Sequence, residues 1–340
     1  MIHKNLIYII ILFMCLIASR GHAQQETSHE EGRVLEPGKD MFGKPFPEIN
    51  KEYKEEAEKT VWGHALPFLA QRVIDKGFTL PLPYGASLIF FHQNQGLSID
   101  TLSVAFSDTA PLRDVGFIDF SGTKVDNTSW QGKFDAWILP FLNAFVTIGS
   151  VKGTGTVPIS IAKSDLYNFF TPGLCPGGGG GPGFCNGYIS AVAPIDYDGF
   201  SYGVGLLLAT AFNDWFVAAP LTYVITNVNV SDDDVRAMSF IPRIGYNLRT
   251  PRSGKFGFYI GANYLDTEIN LTGTYSLPLA TDPNIGQDVN VHYDLSQHPL
   301  DKWNTLVGIN WELNNTWSII LEAGFAPEKE NQTVNFNYRF

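Results

Sequence analysis

The chain has 340 residues, 23 of them basic and 34 acidic, with a formal net charge of −11. Charged residues make up only 17% and aromatic ones 14%. The acidic balance argues against nucleic acid as a partner, because its binders carry basic patches. Beyond the N-terminus no stretch approaches 18 uninterrupted apolar residues, so no spanning helix is expected there.

In chain order, His3 and Lys4 precede an apolar run from Leu6 to Ile17. Gly21-His22-Ala23 then offers small residues at −1 and −3, so residues 1–23 read as a secretory signal peptide cleaved after Ala23. Cleavage removes Lys4 and Arg20 and leaves 21 basic against 34 acidic residues. Cys15 leaves with the signal. The remaining cysteines, Cys175 and Cys185, bracket PGGGGGPGF. In an oxidising compartment this pair predicts a disulfide.

Residues 24–49 are polar, without periodicity, and rich in Gly and Pro. KEYKEEAEKTVWGHALPFLAQRVIDKG comes next and predicts helix. Asn50 can cap it, Glu55 and Lys59 form an i,i+4 pair, Pro67 interrupts it and Gly77 ends it. Residues 24–79 therefore form an N-terminal segment with a helix, either a plug inside the C-terminal domain or a periplasmic element beneath it.

From residue 80 to 340 strands dominate. Twelve are expected, near 84–92, 97–107, 114–122, 129–139, 142–153, 200–212, 215–229, 236–249, 255–267, 303–313, 317–325 and 332–340. Most are long enough to cross a membrane when tilted. Alternation is clearest where Phe256, Phe258, Ile260, Ala262 and Tyr264 share a face, and where Trp317, Ile319, Leu321, Ala323 and Phe325 do. The strand at 97–107 changes phase near Thr101, which predicts a bulge. Counting back from residue 340, connections alternate long and short. The long ones, 154–199 and 268–302, fall on one side.

Charged residues on expected inward faces are Lys133, Asp135, Arg243, Glu312, Glu322 and Arg339. Lipid exposure would cost each about 2–4 kcal/mol at the membrane midplane, and each buried charge needs a partner. The register drawn from the turn Asn314-Asn315-Thr316 places Ser318 between Glu312 and Arg339 and predicts that these two meet. Inward aromatics are Trp137, Phe145 and Tyr259, too few for a sugar track. Catalysis has little support: His92 is followed by Gln93, Asn94 and Gln95, with no His-x-Ser pairing. His292 and His298, with Asp282, Asp288, Asp294 and Asp301, lack a compact ligand motif. No metal and no cofactor is therefore expected, and the chain does not read as an enzyme.

The last ten residues, NQTVNFNYRF, place Val334, Phe336, Tyr338 and Phe340 on one face and polar residues on the other. This strand resembles the C-terminal strand of Gram-negative outer-membrane β-barrel proteins of the porin-like class. The resemblance covers roughly residues 80–340. It implies that Phe336, Tyr338 and Phe340 are an assembly signal read by the barrel-assembly machinery, and that the partners are outer-membrane lipid and a small solute. The expectation is an all-β transmembrane antiparallel barrel of about twelve strands with an N-terminal helical segment, exported through the inner membrane to the outer membrane. Its expected function is a channel or transporter for small solutes. The alternatives are a non-transporting barrel displaying loops 154–199 and 268–302 and, ranked last, an outer-membrane enzyme.

Overall fold

Alternating side chains need a surface with two different faces, and an antiparallel ring supplies one by curling a sheet until its edges meet. The computed structural model of the protein describes residues 61–76, 78–105, 110–175, 182–250, 253–277 and 289–340. The expected signal peptide, the polar stretch 24–49 and the first part of the expected helix lie outside the described residues.

The described chain opens with a short helix, α1 (Ala70–Ile74). Just before it, the Phe68 N–H donates to the Ile138 carbonyl at 2.9 Å. The strands are β1 (Tyr84–Ala105), β2 (Arg113–Asp114), β3 (Ile118–Asp119), β4 (Lys124–Leu139) and β5 (Leu142–Ala162). Helix α2 (Lys163–Phe170) then precedes β6 (Tyr188–Phe212), β7 (Trp215–Val228), β8 (Val235–Phe240), β9 (Arg243–Thr250) and β10 (Gly254–Leu277). The last four are β11 (Val289–Pro299), β12 (Trp303–Glu312), β13 (Trp317–Ala326) and β14 (Lys329–Arg339). No helix among the described residues is long and apolar enough to cross a membrane.

The ring runs β1–β4–β5–β6–β7–(β8, β9)–β10–β12–β13–β14 and returns to β1, antiparallel throughout. β8 and β9 together fill one place between β7 and β10. They are separated at Ile241-Pro242, where proline has no N–H for the ladder. The ring closes at Tyr84 and Phe340, which exchange backbone hydrogen bonds of 3.1 and 3.0 Å. The short turns at residues 140–141, 213–214 and 313–316 share one end with this closure, and the long connections lie at the other.

The antiparallel barrel is as expected, but ten strand positions encircle it among the described residues, not twelve. The segments 84–92 and 97–107 are one strand, β1. The intervening Gln-Asn-Gln-Gly has the composition of a hairpin turn. Instead Gln93 and Gln95 point into a polar interior, where Gln93 donates to Gln95 at 2.8 Å. The bulge does fall between Ile99 and Thr101. The segment 114–122 holds only the two-residue pieces β2 and β3.

The outer connections are more ordered than loops. β5 and β6, of 21 and 25 residues, stay paired out to Ala162 and Tyr188. A tilted membrane strand needs only about 9–11 residues, so this ribbon extends well past the ring's shorter strands. At its tip Cys175 and Cys185 form the expected disulfide, ten residues apart. Asn168 of α2 holds the Cys175 backbone, donating to its carbonyl at 2.7 Å and accepting from its N–H at 2.9 Å. The stretch 268–302 contains β11, which pairs with the outer halves of both β10 and β1. Below it β12, β13 and β14 fill the same interval, so the wall there narrows from three strands to one.

Outward side chains form an apolar belt that includes Leu88, Phe134, Val146, Ile148, Val204, Leu206, Ile260, Val307 and Leu321, all exposed. Aromatic pairs edge the belt. At the turn end stand Trp215–Tyr246, Phe256–Trp311 and Trp317–Tyr338, with centroids 5.4, 5.6 and 4.7 Å apart. Towards the other end stand Phe90–Trp130 and Tyr264–Trp303, both 4.9 Å apart. Phe256 and Tyr264 are about 27 Å apart along β10 at the usual strand rise, which at a tilt of about 35–45° covers about 19–22 Å of depth, most of an apolar band about 25 Å tall. Phe336, Tyr338 and Phe340 are exposed in the turn-end band.

Inside, large rings lie flat over glycines of the neighbouring strand. A Cβ on Gly205 would clash with the Phe145 ring, and one on Gly308 would clash with Tyr259. Close approach therefore requires glycine at both places.

Removing Phe340 takes away both closing hydrogen bonds to Tyr84 and one ring of the turn-end band. The truncated chain is expected to reach the membrane in much smaller amounts, measured as heat-modifiable barrel on gels. Replacing both Cys175 and Cys185 by Ser frees the tip of the outer ribbon, at a cost of up to about 3 kcal/mol. Because that tip stands off the ring, the double variant is expected to give normal heat-modifiable barrel and faster proteolysis within the loop.

Candidate functional site

Inward residues on β4 are odd-numbered, so Lys133 and Asp135 enter the interior while Phe134 between them faces out. The Asp135 side chain is 1% exposed. Its Oδ2 accepts from Arg339 Nη2 at 3.0 Å and from Asn143 Nδ2 at 2.7 Å. Lys133 Nζ lies 3.4 Å from its Oδ1. Arg339 and Asp135 belong to β14 and β4, which flank β1, and both stand opposite Gly85. A Cβ on Gly85 would sit 2.5 Å from Asp135 Oδ1, so the ion pair bridges a strand through the space that glycine leaves. Arg339 Nε also donates to the Leu82 carbonyl at 2.9 Å.

A second cluster repeats this construction. Arg243 of β9 reaches Glu322 of β13 at 2.7 Å, and the Tyr259 hydroxyl donates to the same Oε1 at 2.8 Å. Gly308, between Tyr259 and Glu322 in the ladder, makes room for the ring. Arg243 and Lys133 come from opposite sides of the ring and lie within Coulombic reach of each other. The two clusters thus face each other across the interior. The three inward aromatics each stand against a cation: Trp137 with Arg339, Phe145 with Lys133 and Tyr259 with Arg243, at 5.7, 5.3 and 5.4 Å.

The expected meeting of Glu312 with Arg339 does not occur as an ion pair. Glu312 does stand opposite Ser318, but Ser318 stands opposite Asn337, not Arg339. The β13–β14 turn is tighter than the polar run APEKEN suggests, and Ala326 pairs directly with Lys329. That shifts the register by two residues. Glu312 instead binds Lys255 at 2.7 Å, and Arg339 takes Asp135.

The structure adds Lys329, which the polarity of that run conceals. It is 1% exposed, and its Nζ has no hydrogen-bond partner among the described residues. Around it run carboxamides: Asn331 accepts from Asn304, and the side-chain oxygens of Gln93, Asn263 and Asn304 are buried without a donor. At the outer rim the Tyr197 hydroxyl donates to Asn127 across Gly153, and burial pushes that hydroxyl up to about 12.

The histidines do not converge. His298 pairs with Asp100 at 2.8 Å and His292 with Thr274 at 2.8 Å. Asp282 and Asp288 lie outside the described residues. Among the described residues no group of three or more His, Cys, Asp or Glu is placed to hold a metal.

No protein-family model matches the sequence, and no curated protein does. Solved structures match in shape. Outer membrane protein OprG from Pseudomonas aeruginosa is 10% identical over 77% of this chain and 98% of that one, with a TM-score of 0.36. The toluene transporter TbuX of Ralstonia pickettii is 11% identical over 77% and 90%, at 0.33. The translocator domain of autotransporter NalP from Neisseria meningitidis is 12% identical over 75% and 88%, at 0.30. Scores at this level leave the assignment to the chain's own closed ring, apolar belt and polar interior. Those make it a transmembrane β-barrel of the outer-membrane type.

Asp135→Ala would leave Lys133 and Arg339 without their carboxylate in a buried site. The expected loss is about 3–5 kcal/mol of barrel stability, read from urea unfolding in lipid. Phe134→Ala, on the outer face of the same strand, is expected to cost much less.

Proposed function

We propose that the protein is an outer-membrane channel or transporter for small solutes. One observation carries this reading. In the two charge clusters, Lys133, Arg243 and Arg339 keep 18, 16 and 15% of their side-chain surface exposed inside the ring. Charged groups inside the ring are therefore open to water, which supports a polar route past charges held at fixed positions. A barrel that served only as an anchor has no need to keep three cations wet inside it.

In this reading outer-membrane lipid solvates the apolar belt, and the barrel-assembly machinery inserts a chain exported by the 1–23 signal. A second reading, a display barrel, is supported by the β5–β6 ribbon with its disulfide-tied tip, which projects beyond the ring. Among the described residues no catalytic constellation supports an enzymatic role.

Purified full-length barrel inserted into planar bilayers is expected to give steady single-channel steps. Arg243→Ala should change their size by widening the constriction. A folded, inserted barrel that stays electrically silent would favour the display reading.

A further inference from the structure

Inside the ring three of the described carboxylates meet four cations within ion-pair distance: Glu322 takes Arg243, Glu312 takes Lys255, and Asp135 takes both Arg339 and Lys133. Lys133 and Lys329 are left without a carboxylate of their own. Lys133 must share Asp135 with Arg339. Lys329 has no ion-pair partner among the described residues. Asp301, in the connection before β12, is within Coulombic reach of Lys329 but lies beyond ion-pair distance, and it accepts the Glu328 backbone N–H at 2.7 Å. This interior surplus is positive, although the chain as a whole carries −11.

The two surplus charges stand at different depths. Lys133 pairs in register with Ser87 of β1 and Lys329 with Gln95. Eight residues along one strand separate these levels, about 27 Å at the usual rise. Within low-dielectric walls an uncompensated charge projects its field along the enclosed path and concentrates counter-ions there. The aromatic beside Lys133 and the carboxamides around Lys329 do not cancel that charge.

We infer that the barrel interior selects small anions, with Lys133 lining the route and the buried Lys329 adding a second positive charge at a different depth. The ligand class is a small anion such as chloride, phosphate or a short carboxylate. The inference rests on the channel reading and names the charge of what passes.

The test uses the full-length barrel in a planar bilayer under a KCl gradient. The expected reversal potential has the sign of chloride preference. Lys133→Gln and Lys329→Gln should each reduce the chloride-to-potassium permeability ratio, and the double variant should lower it by about tenfold. A wild-type preference for potassium, no preference, or variants that leave the ratio unchanged would overturn the inference. Heat-modifiable mobility checks that each variant is folded, and Lys133→Gln alone carries the comparison where Lys329→Gln does not assemble. An electrically silent barrel would sink the channel reading instead. Anion selection is then decided by thermal unfolding in detergent, with inorganic phosphate replacing gluconate at constant ionic strength. Stabilisation of wild type that Lys133→Gln lacks supports the anion site, and equal shifts in both refute it.

Discussion

A strand edge cannot be left open in hydrocarbon, because every unpaired N–H and C=O there costs several kcal/mol. The whole structure follows from meeting that demand at one seam, where β14 returns to β1 along Gly85–Gln95. Once the ring is closed, each strand has a lipid face and an interior face. The alternation of residues is simply the sequence record of that division. The apolar belt, the aromatic bands and the confinement of charge to the inside all presuppose the seam.

Closure also decides how the interior is filled. A ring of ten positions leaves little room, and side chains from strands that are not neighbours come within reach. Glycine is what permits this. Gly85 lets Asp135 and Arg339 meet over β1, and Gly308 lets Tyr259 reach Glu322. The interior is thus a set of cross-strand joints, each made of a large or charged group and the glycine beneath it. The outer half is built differently: β11 alone spans the interval that β12, β13 and β14 fill below, so the ring tapers away from its turn end.

Much of this is legible from residue order. The alternation in Phe256–Tyr264 and Trp317–Phe325 locates strands correctly because one face is lipid and the other is not. The residues Lys133, Asp135, Arg243, Glu322 and Arg339 fall inside because charge on the outer face is expensive. Residue order misleads where polarity resembles a loop. Gln93 to Gly96 and Lys329 are polar because the barrel interior is polar, and the same letters would mark a turn in a soluble protein. Pairing is less readable still. Register depends on turn length, and the tight β13–β14 turn moves Arg339 two places from its expected partner. The true partners, Asp135 for Arg339 and Glu322 for Arg243, come from strands that no local pattern connects.

The Asp135–Arg339 pair joins residues 204 apart in sequence across an intervening strand. It can form only after β4 and β14 both lie against β1, and so only after the ring has shut. An interaction absent until the final step does little to hasten assembly. Its free energy falls instead on the barrier to reopening. The joint over Gly85 therefore acts as a latch, setting how slowly a finished barrel can unroll at its seam and how long it persists once inserted.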